Sequence, residues 1–399
     1  MPWISSAEGR AARELAARLL IAFPKDPLLA GTALRRELPG LAPADAAMAI
    51  VQAHLSQIAL ERYDIAADAL LLTRDGLEQA TRPEVAQRRA EFLRAQGALE
   101  VVDLTAGLGF DVRAFLAAGL KVTAVERDPL TAQYLRINAP DAEVVEADAI
   151  EVAASLLEQH GPETIVFVDP ARRSGQRTMD GARAQSERDP ERWSPSWSFV
   201  TSLAHSGVRV CVKLAPGFDP ASMPSGWSGV WTSMRREPVE AMLCSWGLDL
   251  PRTAVALGAD SAEFTGVGSA PLTTRPIGGW LHEPDSCLVQ AQLLDDFCAA
   301  HPALQRIDDT SSWLTSAELV HHSMLRSYQV IESLPNDIRA LRKELTARTI
   351  GTLTIKCRGM KIDADALRKE LRLSGGLAAT IVITRVQGSR STLLVHEDR

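Results

Sequence analysis

Up to about residue 95 the chain places apolar side chains three and four positions apart. EGRAARELAARLLIAF and PADAAMAIVQAHLSQIALERYDI carry Ala and Leu at that spacing, with Pro and Gly breaks between them. The pattern predicts a helical leader. Its last part, TRPEVAQRRAEFL, predicts one more helix with Pro83 in the first turn and Thr81 as its cap. Near Leu99 the period changes. Short apolar runs (LEVVDL, KVTAVERD, AEVVEAD, TIVFVDP, VRVCVKLAPG) alternate with helical ones (DVRAFLAAG, PLTAQYLRINA, IEVAASLLEQHG). This rhythm predicts an α/β fold with a parallel sheet covered on both faces. EAMLCSWGL, TAVALG and AEFTG read as further strands, and DSCLVQAQLLDDFCAAH as one helix. The last segment reads strand, helix, strand, helix, strand, strand, a compact α+β unit.

These shifts predict four regions: a helical region over 1–95, an α/β domain over 96–275, a small ferredoxin-like connecting unit over 276–325, and a final module over 326–399. A length of 399 residues is enough for two or three cored domains. With 46% hydrophobic and 23% charged residues, the chain is neither disordered nor fibrous. The five cysteines are widely and irregularly spaced. That argues against a disulfide framework or a structural zinc site and for a reducing, cytoplasmic setting. No metal is expected. Neither is a membrane span, because no apolar stretch reaches the roughly 18 residues one requires. The net charge of −7 is unevenly distributed: residues 327–399 hold 13 basic and 8 acidic side chains, a net +5 against −12 for the rest. A basic tail of this kind suits a polyanion, although a solvated surface of mixed charge gives a similar count.

The strongest chemical signal is VVDLTAGLGFD, an apolar strand that runs into a two-glycine turn and then a helix. Gly107 and Gly109 permit a backbone approach that a β-carbon would block, and the helix N-terminus that follows offers free N–H groups. Glu126 ends the next strand, where a carboxylate accepts hydrogen bonds from both ribose hydroxyls of an adenine nucleoside. A dinucleotide dehydrogenase would have a third glycine where Val112 stands. Asp103 beside the turn repels a diphosphate but suits the ammonium of an amino acid. Asp148, after the third strand, can face an adenine amino group.

IVFVDPARR is a second signal, an apolar strand ending in Asp169-Pro170 at the sheet edge where open α/β folds bind ligands. Asp169-Pro170 resembles the start of the Asn/Asp-Pro-Pro-aromatic motif of nucleic-acid amino-methyltransferases, with Ala171 and Arg172 in place of its last two residues, and the resemblance implies a side-chain oxygen and a proline carbonyl that accept hydrogen bonds from an exocyclic amine. Arg172 can stack through its guanidinium or hold a phosphate, and Arg173 can hold a phosphate. Lys213, at the end of the following strand, is placed to contact substrate phosphate, to pair with Asp169, or to reach solvent. Cys211 lies inside that strand rather than beyond it, which disfavours a covalent cysteine mechanism. A polar stretch over 174–197, carrying Arg177, Arg183, Arg188, Arg192, Trp193 and Trp197, is too long for an ordinary connection and would overhang Asp169.

The ordered set Asp103, Gly107, Gly109, Glu126, Asp148 and Asp-Pro resembles the class I S-adenosylmethionine-dependent methyltransferases. Together with LEQATRPEVAQRRA, WLHEPDSCLVQAQL and the ending IKCRG…LRKELRLSGG…TRVQG, it resembles the bacterial members with a C-terminal THUMP-like domain. The resemblance implies a Rossmann-like sheet, S-adenosyl-L-methionine as cofactor, and RNA as presumed partner. The cofactor set is then Asp103, Thr105, Gly107, Gly109, Phe110, Asp111, Glu126, Arg127, Asp148 and Ala149. Asp169, Pro170, Arg172 and Lys213 form the catalytic set, and Arg173, Lys356, Arg358 and Lys361 would grip substrate. The expected reaction is methyl transfer to a base nitrogen of ribosomal or transfer RNA. A methyltransferase acting on protein or a small molecule, and a catalytically silent RNA-binding scaffold, remain the other readings.

Overall fold

The computed structural model describes residues 2–24, 26–63, 65–67, 69–171 and 189–398. It divides into two compact units, Met1–Lys213 and Leu214–Arg399.

In the first unit the leader forms helices α1 (Ala7–Ala22), α2 (Pro27–Glu37), α3 (Pro43–Tyr63), α4 (Arg74–Glu78) and α5 (Pro83–Ala95). Side-chain oxygens of Ser6, Asp26 and Thr73 accept N–H bonds at the starts of α1, α2 and α4, satisfying donors that a helix end leaves free. Ile4, Leu20, Leu34, Leu71 and Leu72 close the core of this region, each contributing about 1.5–3 kcal/mol by leaving water. Thr81 does not cap α5: Arg82 is the N-cap residue and supplies no side-chain bond.

The α/β part follows the predicted alternation: β1 (Glu100–Asp103), α6 (Phe110–Ala117), β2 (Lys121–Glu126), α7 (Pro129–Asn138), β3 (Glu143–Glu146), α8 (Ala149–Leu157), β4 (Thr164–Val168), α9 (Trp197–His205) and β5 (Arg209–Leu214). The strands pair in parallel in the order β3-β2-β1-β4-β5. β1, β4 and most of β2 and β5 are buried, as strands covered on both faces must be. Chain order reverses between β1 and β4, so their carboxyl ends frame the crevice where such sheets bind ligands.

Two buried amides brace the leader, one within it and one that fastens it to the sheet domain. Gln52 donates to the Leu72 carbonyl (2.8 Å) and accepts from the Leu72 N–H (2.9 Å). Asn138, at the end of α7, accepts from the Leu71 N–H (2.8 Å) and donates to the carbonyls of Leu71 (2.9 Å) and Leu108 (3.0 Å).

In the second unit β6 (Ser228–Met234), β7 (Glu237–Cys244), β8 (Arg252–Leu257) and β9 (Ala262–Gly266) pair in the order β7-β6-β8-β9. The single helix expected over 285–301 is instead two short ones, α10 (Ser286–Gln290) and α11 (Leu294–Ala300). The helix breaks at Gln292, whose φ is 54°.

A seven-stranded sheet follows. Its strands are β10 (Trp280–Pro284), β11 (Gln305–Arg306), β12 (Leu314–Ser316), β13 (Leu325–Leu334), β14 (Ile350–Cys357), β15 (Leu377–Val386) and β16 (Ser389–Glu397), in the order β11-β12-β10-β13-β16-β15-β14. It runs through residue 325, because β10 pairs with β13. Alternation along β15 sorts the two faces. Ile381 and Ile383 pack with Leu341 and Leu345 of α12 (Ile338–Ala347) and Leu367 and Leu371 of α13 (Ala364–Leu371), while Val382 packs with Trp313 and Tyr328. Among the described residues no helix is long and apolar enough to cross a membrane.

Candidate active site

The β1 turn is built from backbone bonds and one hydroxyl. The Thr105 N–H donates to Asp103 Oδ1 (2.9 Å), and Thr105 Oγ1 accepts from the Asp169 N–H (2.6 Å). Thr105 thereby ties the end of β1 to the residue that follows β4. Gly107 and Gly109 have φ of 54° and 86°, a region that a β-carbon disfavours. A β-carbon on Gly109 would also meet Leu135 Cδ1 at 2.5 Å. The Glu126 carboxylate lies under this loop and accepts from the Gly107 N–H (3.0 Å) and the Asp128 N–H (2.8 Å). Asp148 caps α8 through the Ile150 N–H (2.9 Å), with Ala149 as the first residue of that helix. Arg127 stands 3.9 Å from Asp148 and donates to Ser194 Oγ (3.2 Å).

Asp103 is 1% exposed. Burial raises its pKa to about 8; the nearby Asp111 and Asp169 add to the rise, and the Thr105 N–H and Arg89 offset only part of it. A cation beside it would restore the ionised form.

The structure brings Lys213 onto Asp169, Nζ to Oδ2 at 2.5 Å. Lys213 also donates to Thr81 Oγ1 (2.9 Å), and Thr81 donates to Asp111 Oδ2 (2.8 Å). Asp111 is paired through its other oxygen with Arg89, whose side chain is 1% exposed and whose guanidinium lies 5.0 Å from the Phe167 ring centroid. Asp111 is thus held in an ion pair beneath the sheet edge, and Phe110 packs on the core of the leader rather than lying over the loop. Thr81, Arg89 and Asn138 were not among the site residues expected from sequence. Their partners are 30, 22 and 67 residues away along the chain, and no local spacing connects them.

Arg172 and Arg173, with most of the long polar stretch, lie outside the described residues. Ala171, just before that stretch, and Ser194, within it, form an antiparallel bridge. Cys211 is buried within β5. In the second unit, Lys356 (2.8 Å) and Arg358 (3.1 Å) are paired with Glu283, whereas Lys361 is exposed.

The residues around the β1 turn fit S-adenosylmethionine. Nothing lies within 4 Å of where a Gly107 β-carbon would stand, so the loop is open on that side. Three carboxyl acceptors surround it: the buried Asp103, Glu126 at the end of β2 and Asp148 at the start of α8, groups of a kind that suits the donors of such a cofactor.

Comparison with known proteins agrees. The model of the THUMP domain-like family matches residues 325–397. An uncharacterised S-adenosylmethionine-dependent methyltransferase of Mycobacterium tuberculosis is 31% identical over 322 residues, 79% of this chain and 85% of that protein. Ribosomal RNA small subunit methyltransferase J of Alkalilimnicola ehrlichii is 35% identical over 105 residues, 24% of this chain and 39% of that protein. A crystallised methyltransferase candidate of Porphyromonas gingivalis shares the fold, with a TM-score of 0.72 at 20% identity over 89% of this chain and 91% of that one. With a mycobacterial relative matched across most of both chains, this chain belongs to the S-adenosylmethionine-dependent methyltransferases, carries a THUMP-like domain at its C-terminal end, and takes S-adenosylmethionine as its cofactor.

Proposed function

We propose that the enzyme methylates a base nitrogen of RNA. The observation that carries this reading is Asp169-Pro170 at the carboxyl end of β4, tied to the cofactor turn through the Thr105 hydroxyl. When bound, S-adenosylmethionine supplies a methyl group on a sulfonium leaving group. Asp103 meets the cofactor ammonium, Glu126 the ribose hydroxyls, and Asp148 the adenine amine, while Thr105, Gly107, Gly109 and Ala149 shape the backbone around it. Asp169 and the Pro170 carbonyl accept hydrogen bonds from an exocyclic amine and aim its lone pair along the line of transfer. Such alignment is most of what a protein contributes to a displacement in which charge disappears. Held there, the cofactor would supply the methyl group and leave as the neutral thioether, and the amine aligned by Asp169 and Pro170 would give up its proton to solvent.

RNA as substrate is supported by the THUMP-like match, the partial similarity to a ribosomal RNA methyltransferase, and the basic C-terminal region. The phosphate contacts fall to exposed side chains: Arg342 and Lys343 on α12, Lys369 on α13, and Lys361 between those helices in the sequence. Lys356 and Arg358 are already paired with Glu283.

The test is to incubate the enzyme with methyl-labelled cofactor and total cellular RNA, then identify the labelled nucleoside by mass spectrometry. Label on a base nitrogen is expected. Asp169→Ala should lower turnover by about 100-fold with cofactor affinity kept within about threefold. Label that enters only protein or small molecules would replace this reading with one of those substrates.

A further inference from the structure

We infer that Thr81 is a positioning residue of the transfer centre: its hydroxyl, between Asp111 and the Lys213 ammonium, holds Lys213 against Asp169. The inference rests on the role proposed above for Asp169. Thr81 belongs to the leader, ahead of α5, and is 6% exposed. It has no capping duty there, since Arg82 is the N-cap residue.

The direction of its bonds is forced by chemistry. An ionised Asp111 only accepts and a lysine ammonium only donates, so the single hydroxyl hydrogen goes to Asp111 (2.8 Å) and a lone pair takes the Lys213 N–H (2.9 Å). Asp111 cannot turn away, because Arg89 holds its other oxygen from beneath the sheet edge. The result is an ordered chain of five side chains: Arg89 donates to Asp111, Thr81 donates to Asp111, and Lys213 donates to both Thr81 and Asp169.

A lysine stem has four rotatable carbons and little preference of its own. Thr81 supplies a second fixed point that stops Lys213 from swinging off Asp169. Because Lys213 occupies Oδ2 of Asp169, the arrangement assigns Oδ1 to the acceptor amine. The leader is therefore part of the transfer centre through one hydroxyl group.

The test has one arm that needs no substrate. The full chain has seven lysines, so 15N-lysine labelling yields few ammonium signals, and loss of one in Lys213→Arg identifies the Lys213 resonance. In the wild type that resonance should persist against hydrogen exchange with water. Thr81→Val should raise its exchange rate by about tenfold, while Thr81→Ser should retain the wild-type rate. Thr81→Ala repeats the loss without the added methyl group, should valine disturb folding.

In the second arm, Thr81→Val should lower the turnover number on RNA by about tenfold, with KM and cofactor affinity within about threefold, and Thr81→Ser should recover it. Unchanged exchange in Thr81→Val and Thr81→Ala overturns the inference, as does a serine variant that exchanges as fast as they do. Should the wild type methylate no RNA, the substrate reading falls and the exchange arm alone decides the role of Thr81.

Discussion

Asp103 in the first unit and Glu283 in the second are both closed off from solvent, 1% and 8% exposed, yet they are driven in opposite directions. Burial pushes both carboxyls upward. At Glu283 the hydrogen bond from Lys356 and the charges of Arg358, Lys356 and Arg236 outweigh it, leaving its pKa lowered. Asp103 faces two further carboxylates and is pushed up to about 8. The fold has neutralised one acid internally and left the other without a matching cation. Groups tuned by like charge and burial gather where chemistry is done, whereas matched ion pairs hold structure together.

Glu283→Ala tests the structural side of this contrast and should have the largest effect. It leaves Lys356 and Arg358 half-buried without their partner, and should lower the free energy of unfolding in urea by about 2–3 kcal/mol. A change within about 0.5 kcal/mol would mean that solvent replaces the pair.

Asp103→Asn tests the functional side. Because the folded-state pKa is raised above 3.8, stability from the protonated group is complete below about pH 4 and is lost as pH rises toward 8. The wild type should lose up to about 1 kcal/mol per pH unit across that window, and Asp103→Asn should remove the slope. The same variant should bind the cofactor about tenfold more weakly by calorimetry, having lost the charge proposed above to meet the ammonium. His282 has the opposite dependence. Buried and bonded to Ser316 (2.7 Å) and Ser327 (2.8 Å), it is pushed down to about 4, so its contribution is complete above about pH 6.5 and fades as pH falls.

The smallest effect on stability belongs to the surface. Arg342→Ala with Lys343→Ala should change unfolding by less than about 0.5 kcal/mol. The pair should nonetheless reduce the slope of log affinity for RNA against log salt by about 1.5. An affinity that ignores salt would remove these residues from the RNA reading.

Much of the α/β core was legible because its signals are local. Strand and helix periods, the glycines of the β1 turn and the Asp-Pro after β4 all lie within a few residues of one another. The α12 and α13 helices were legible for the same reason, each beginning at an Asp whose oxygen accepts N–H bonds from the first turn. Thr81 shows where this stops. Beside Pro83 it reads as a cap, and only the fold reveals partners at Asp111 and Lys213. The helix expected over 285–301 has continuous apolar spacing, but Gln292 takes a left-handed turn that spacing does not announce. Lys356 and Arg358 read as free phosphate binders because their neutralising partner, Glu283, lies more than 70 residues away.

The clasp made by Asn138 depends on a single nitrogen. Conversion to aspartate, one of the products of spontaneous deamidation, would leave the residue almost the same shape. It would also turn two donated bonds, to the carbonyls of Leu71 and Leu108, into contacts between oxygens. One such chemical lesion of age would loosen the leader and the glycine turn together, so the lifetime of the active centre is linked to an amide that takes no part in its chemistry.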